Sequence, residues 1–280
     1  MSLLMKTRTE RLKDVFGHTA HRFISPLALA VPLTTGYELG LRTEARMYYE
    51  ASRRHGFVNV TPNGMMMPKK EIEHLFTSFS RFFFITLMGL GVFDRFKAWN
   101  VPAIRYKEPN LSRSNAQRPR ASEHAHSDSW LGWDQSAIVF MLPLLGDVER
   151  NWVQFFDHPL DDEWIKVLPS FTCAKARKLL NQCVGLPWDY QVGCLYPNDI
   201  GCVHQTRREP GSGWRVSCEV VGYLEEPDPD SFGVHTAFSA TDARDIVRNI
   251  KRFEAKLNMG EIGEYDKAGR AISVQLVDVS

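Results

Sequence analysis

Apolar positions along this chain recur with two periods, and the switch between them divides it. From Glu38 to Arg54 the composition suits a helix, with Gly56 just beyond its end as a stop signal. Pro62-Asn63-Gly64 marks a turn. From Lys69 to Leu90, residues Ile72, Leu75, Phe76, Phe79, Phe82 and Phe83 step by three and four, which predicts an amphipathic helix whose aromatic stripe packs on a core. From Val101 the pattern changes to short extended runs: Val101–Tyr106, Ala137–Leu142 closing at Pro143, a brief apolar stretch before His204, and Trp214–Leu224. Asp161–Leu168 and Ala174–Gln182 read as short helical pieces. Ser239-x-x-Asp242 resembles a capping box and predicts a helix through Ala243, Ile246, Ile250, Phe253 and Leu257 that ends near Gly260. Ile272, Val274 and Leu276 alternate, predicting a final edge strand.

At 280 residues and 44% hydrophobic, the chain can bury a large core, and no repeat or low-complexity linker divides it. One domain is expected over residues 1–280: helical cover to about 100, a β core over 101–224, and a helix-and-strand extension over 225–280. Lys plus Arg (34) nearly cancels Asp plus Glu (33), so no charge excess points to nucleic acid or a membrane surface. The cysteines at 173, 183, 194, 202 and 218 are odd in number and lack C-x-x-C spacing, which predicts reduced thiols and a cytoplasmic setting. Met1–Arg11 gains charge too early for a signal peptide. Phe82–Phe93, the most apolar stretch, falls short of the ~20 residues a membrane span needs.

Chemistry concentrates at His126-Ser127-Asp128, His204 and Arg215-Val216-Ser217. On an extended segment residues i and i+2 point to the same side, so His126 and Asp128 can grip one metal ion together. His204, after the turn and short apolar run Asn198–Val203, completes a set of two histidines and one carboxylate, the facial triad of non-haem Fe(II) sites with open positions. A lone His-x-Asp triplet arises readily by chance; the order and the flanking strands carry the weight. Arg215 and Ser217 share one strand face, where a guanidinium fork and a hydroxyl suit the distal carboxylate of a dicarboxylate cosubstrate.

Alternatives stand beside each assignment. His124 is a competing ligand, although a His124–His126 pair leaves Asp128 without a role. The same donor set can hold Zn(II) in a hydrolase. A non-catalytic jelly roll with a vestigial site would show an eroded ligand set, and all five positions are intact. Trp130, Trp133 and Trp152 are candidate walls of a substrate pocket and His158 a candidate substrate contact, each with a structural alternative. Glu123 and Asp134 are acids that can face its mouth. The arginine-rich stretch Ser112–Arg120 reads as a loop nearby, and residues 146–170 as a lid or flank.

The stretch His126-Ser127-Asp128-Ser129-Trp130, with Leu142-Pro143-Leu144 downstream, resembles the Fe(II)/2-oxoglutarate-dependent dioxygenase superfamily in its phytanoyl-hydroxylase-like branch. It resembles the streptomycin-biosynthesis type in particular, with related enzymes of alkaloid and toxin clusters, over about residues 100–224. The resemblance implies a mainly β fold, a double-stranded β-helix (cupin-like jelly roll) with N- and C-terminal α-helices packed around it. It implies Fe(II) on His126, Asp128 and His204, 2-oxoglutarate on Arg215 and Ser217, and O2 as the other cosubstrate. The implied reaction is hydroxylation of an unactivated C–H with release of succinate and CO2. Asp128 argues against the halogenating variant, which has a small residue there. Together with the tryptophans and acids, the resemblance implies a small, polar natural product as substrate: an aminocyclitol or sugar derivative, or a guanidine alkaloid.

Overall fold

The computed structural model describes the chain apart from residues 1–2, 18–21, 34–35, 58, 62–63, 110–121, 162–163, 167–172, 188, 259–263 and 266–270. Helices α1 (Leu3–Phe16), α2 (Tyr37–Arg54) and α3 (Glu73–Gly89) fill most of the first ninety residues. Two short strands, β1 (Arg22–Ser25) and β2 (Ala28–Pro32), lie between α1 and α2, followed by β3 (Met65–Met66) before α3. Then come β4 (Ala98–Asn100), β5 (Ala103–Lys107), β6 (Ala137–Gly146), β7 (Asn151–Asp157), α4 (Cys173–Leu180), β8 (Val184–Gly185), β9 (Cys194–Asp199), β10 (His204–Arg208) and β11 (Arg215–Tyr223). The chain closes with β12 (Ala237–Ser239), α5 (Ala240–Val247), β13 (Lys251–Asn258), β14 (Glu264–Tyr265) and β15 (Ala271–Asp278).

The protein is mainly β. A nine-stranded antiparallel sheet runs β1-β2-β9-β6-β11-β4-β12, with β5 also on β11 and β3 on β5. Strand alternation sets its layering. On β6, Ile138, Phe140, Leu142 and Leu144 join a core with Phe16 of α1, Tyr48 of α2 and Phe76, Phe79 and Phe83 of α3. Their neighbours Ala137, Val139 and Met141 point the other way, into a second core with Tyr196, Val221 and Tyr223. Val153 and Phe155 of β7 close that second core. They belong to a three-stranded sheet, β10-β7-β8, which therefore lies across the inner face of the large one. Helices, large sheet and small sheet form three layers, and polar inner-face positions of both sheets line a cup between them.

Several expectations are corrected. The first hundred residues are not helical cover alone: β2 pairs with β9 and carries the run Ala28–Val31 into the large sheet, too short a run to show a period. β6 does not stop at Pro143 but continues to Gly146, because Pro143 sits where the register with β11 shifts between Val216 and Ser217. The capping box is present, with Ser239 and Asp242 bonded reciprocally, yet α5 ends at Val247. Asn249 takes φ 62° and turns the chain into β13, so Ile250, Phe253 and Leu257 are not helical. β15 is the centre of a separate sheet, β13-β15-β14, rather than an edge strand of the core. Ser112–Arg120 lies outside the described residues, as does part of the 161–168 piece. Among the described residues no helix is long and apolar enough to cross a membrane.

Candidate metal and cosubstrate site

His126 and His204 meet as an isolated antiparallel bridge between their backbones, His126 N donating to His204 O at 3.0 Å and His204 N to His126 O at 2.9 Å. The rings lie 4.5 Å apart, centroid to centroid. Each ring has its Nδ1 at a carbonyl: His126 at His124 O (2.7 Å) and His204 at Cys202 O (3.1 Å). A carbonyl only accepts, so Nδ1 carries the hydrogen in both and the lone pair sits on Nε2. Those Nε2 atoms stand 3.8 Å and 4.0 Å from the two oxygens of Asp128. All three side chains offer ligand atoms within 4.8 Å of one another.

Local structure explains the convergence. Ser127 is extended (φ −111°, ψ 138°), so His126 and Asp128 fall on the same side, and Asp128 then opens a single 3-10 turn to Leu131. Ser127 itself is buried on the other side, bonded to Ser129 Oγ (2.7 Å) and Ile200 O (3.0 Å). The Asp199–Val203 turn thus supports both ligand segments. That turn is fastened by Arg8 of α1, whose Nη1 meets Asp199 Oδ1 at 2.5 Å with both side chains buried. Burial, then the neighbouring His204, pulls the His126 pKa down to about 4, and Asp128 only partly opposes this. The imidazole is neutral at pH 7, as a metal ligand must be. Among the described residues His124 is not in this donor cluster; its carbonyl supports His126 instead.

Arg215 and Ser217 stand on the inner face of β11, 1% and 3% exposed. The Arg215 guanidinium lies over the Tyr190 ring at 5.4 Å, while its Nε and Nη1 are buried without a hydrogen-bond partner. Burying an unpaired guanidinium is costly, so these atoms point to an anionic ligand. Gly146 makes the placement possible: it has φ +96°, and a Cβ there would lie 2.2 Å from Trp214 O and 2.9 Å from Arg215 Cα. Directly opposite Arg215 in the register is Lys107. Lys107 Nζ donates to Ser122 Oγ (2.6 Å) and lies 3.8 Å from Glu123, which also accepts from Arg208 (3.0 Å). Burial is the largest cause that lowers the Lys107 pKa to about 7. Next to it, Arg105 Nε donates to Glu219 Oε2 at 2.9 Å.

Of the other expected pocket residues, Trp133 and Trp152 pack against the second core, and Trp130 and His158 lie with Trp164. Trp130 is fully buried in a separate cluster with Phe156, Trp164 and Val203, its indole donating to Trp164 O at 3.0 Å. His158 stacks on Trp164 (4.4 Å between centroids) and its Nδ1 bonds Pro159 O. Trp152 is opposite Arg207 in the register and half-buried against the second core. Trp133 packs edge-on against Phe232 and beneath Gly233. Of the acids, Glu123 is held by Lys107 and Arg208, and Asp134 accepts from Ser136 and from Asp228 N. The sequence reading missed Lys107, Tyr190, Arg208 and Glu219. Their signal was polar residues alternating with apolar ones, as in Ala103-Ile104-Arg105-Tyr106-Lys107, where Arg105 and Lys107 face the cup and Ile104 and Tyr106 the helices.

No protein-family model and no curated protein matches the chain. Solved structures similar to it include the non-haem alpha-ketoglutarate-dependent carbocyclase SnoK from nogalamycin biosynthesis, at 13% identity over 78% of this chain and 85% of that one, TM-score 0.44. AviO1 from Streptomyces viridochromogenes is similar at 13% identity over 82% and 98%, TM-score 0.43. The epimerase SnoN, in complex with Fe3+, alpha-ketoglutarate and nogalamycin RO, is similar at 14% identity over 78% and 84%, TM-score 0.41. With identity and TM-score this low, assignment rests on the residues of the site.

Proposed function

We propose that this chain is an Fe(II)- and 2-oxoglutarate-dependent oxygenase built on a double-stranded β-helix, and that it oxidises an unactivated C–H bond of a small polar natural product. The observation that carries the reading is the pairing of two features in one cup. One is the His2Asp donor set, with both Nε2 lone pairs turned toward Asp128; the other is the buried guanidinium of Arg215, whose Nε and Nη1 have no hydrogen-bond partner. A hydrolase on a zinc ion would use the first and have no need of the second.

Iron with 2-oxoglutarate and O2 supplies the oxidising power, with succinate and CO2 as the co-products. The chain's own residues bind, orient and exclude. His126 and His204 present Nε2 lone pairs, locked in place by their Nδ1–H bonds to backbone carbonyls. Asp128 adds one negative charge to the set that would hold the iron. Arg215 offers Nε and Nη1 to a distal carboxylate, with Ser217 beside it on the strand. Lys107, opposite Arg215, adds a second cation to that end of the cup. Phe155, Met141 and Val139 give the interior apolar walls that keep water from the reacting bond.

The charged lining of the cup supports a small polar substrate such as an aminocyclitol or sugar derivative or a guanidine alkaloid. The test is succinate formation from 2-oxoglutarate with added Fe(II) and air, screened against such compounds. Turnover is expected in wild type and absent in His204→Ala. Metal-dependent hydrolysis without 2-oxoglutarate consumption would refute the oxygenase reading.

A further inference from the structure

Glu219 is the acid in the cup that the metal and cosubstrate assignments leave unused. It sits on β11 two residues beyond Ser217, and β11 is paired along both edges, to β5 and β6. The strand's other face is closed, since Cys218 and Val220 are 0% and 1% exposed against the helical layer. Glu219 nevertheless keeps 31% of its side chain exposed, and its partner Arg105 keeps 21%. By strand alternation Glu219 faces the same side as Arg215 and Ser217, and Arg105 faces it across the register from Ser217. Arg105 Nε takes one carboxylate oxygen, Oε2. Burial raises the Glu219 pKa, but Arg105, Lys107 and His204 together outweigh it, so the group is ionised.

We propose that Glu219 anchors the substrate, accepting hydrogen bonds from hydroxyl or amino groups and repelling anionic ones, so that the substrate is a polyol or aminopolyol without phosphate or carboxylate. The assignment rests on the oxygenase reading for the location of the reacting end of the cup. A carboxylate on the cup wall discriminates by charge as well as by hydrogen bonding. A bound donor leaves it satisfied, and an anion beside it faces like-charge repulsion. Arg105 holds the carboxylate in one rotamer, so little side-chain freedom is lost on binding. Glu123 is ill placed for the same task, because Lys107 and Arg208 already hold it.

Calorimetric titration of the Mn(II)- and 2-oxoglutarate-loaded protein tests this, with 2-deoxystreptamine, myo-inositol and glucose 6-phosphate as probes. In wild type the aminopolyol and the polyol are expected to bind at least tenfold more tightly than the phosphate. In Glu219→Gln that preference should fall below threefold, with 2-oxoglutarate affinity unchanged within twofold. If the Gln variant does not fold, Glu219→Asp keeps the charge but withdraws it by one methylene and should weaken 2-deoxystreptamine at least threefold. A preference unchanged in either variant, a wild-type preference for glucose 6-phosphate, or binding of none of the three overturns the assignment. The oxygenase reading fails separately, through absence of 2-oxoglutarate binding to wild type. In that case the probe titration on Mn(II)-loaded protein still measures Glu219 alone.

Discussion

Replacing Arg215 by Met separates two effects that the structure predicts to have opposite sign. The guanidinium is 1% exposed, and two of its nitrogens have no partner within the protein. A buried unsatisfied polar group costs about 1–3 kcal/mol, more when charged. Met fills similar space without that penalty, so the ligand-free variant should be at least as stable as wild type. For a chain of this size each kcal/mol moves the melting temperature by about 2–4 °C, so a rise of a few degrees is expected. With cosubstrate the sign reverses. Losing one partner of a buried charge pair costs about 2–5 kcal/mol, which is roughly thirty- to several-thousand-fold in Kd. In wild type with Mn(II), 2-oxoglutarate at a hundred times its Kd adds about 2.7 kcal/mol of stability. Arg215→Met should lose nearly all of that shift. The assay is a set of thermal melts with and without Mn(II) and 2-oxoglutarate, paired with calorimetric Kd values. A ligand-free variant that melts well below wild type, or one that keeps the full 2-oxoglutarate shift, refutes the reasoning.

Other outcomes follow from the same site. His204→Ala and Asp128→Ala should abolish Mn(II) binding in a calorimetric or paramagnetic-resonance titration, whereas His124→Ala, which keeps the backbone carbonyl that supports His126, should retain it within about threefold. Because burial brings the Lys107 pKa to about 7, its charge is present below that pH and lost above it. The affinity for 2-oxoglutarate should therefore fall as pH rises from 6 to 8.5, and Lys107→Met should flatten that profile. Trp130→Ala should cost about 3–5 kcal/mol in denaturant unfolding, as expected for a fully buried ring, while Trp152→Ala should leave 2-oxoglutarate affinity unchanged.

Legibility in the sequence followed the range of the interactions. α2 and α3 could be read because a helix face repeats within a few residues, and β6 and β11 because their residues are markedly apolar. The ligand triplet could be read because His126 and Asp128 cooperate across a single extended residue. The end of α5 was misread: Ile246, Ile250, Phe253 and Leu257 keep a helical spacing, but a left-handed Asn249 converts the second half to β13, paired to a strand some twenty residues on. Trp130 was misplaced for a different reason. Trp130 follows the metal triplet in sequence, yet the 3-10 turn after Asp128 swings it into the Trp164 cluster. Lys107 and Glu219 were missed because only sheet pairing brings them beside Arg215 and Ser217. No local pattern encodes which strand lies next to which.

The contact between Arg8 and Asp199 joins positions 191 residues apart. On a ribosome the chain emerges from its N-terminus, so α1 appears long before the acid that neutralises its buried arginine. Until residue 199 has been made, Arg8 lacks its carboxylate partner and α1 is not fully fastened to the sheet. The turn that leads to His204 likewise lacks this ion pair until α1 docks back on it. Completion of the metal site and fastening of the first helix are therefore one late, long-range event, slowed by the loop closure it requires. Partly synthesised chains should be open and prone to capture by chaperones, and maturation should come in a single step after the β9–β10 turn is released.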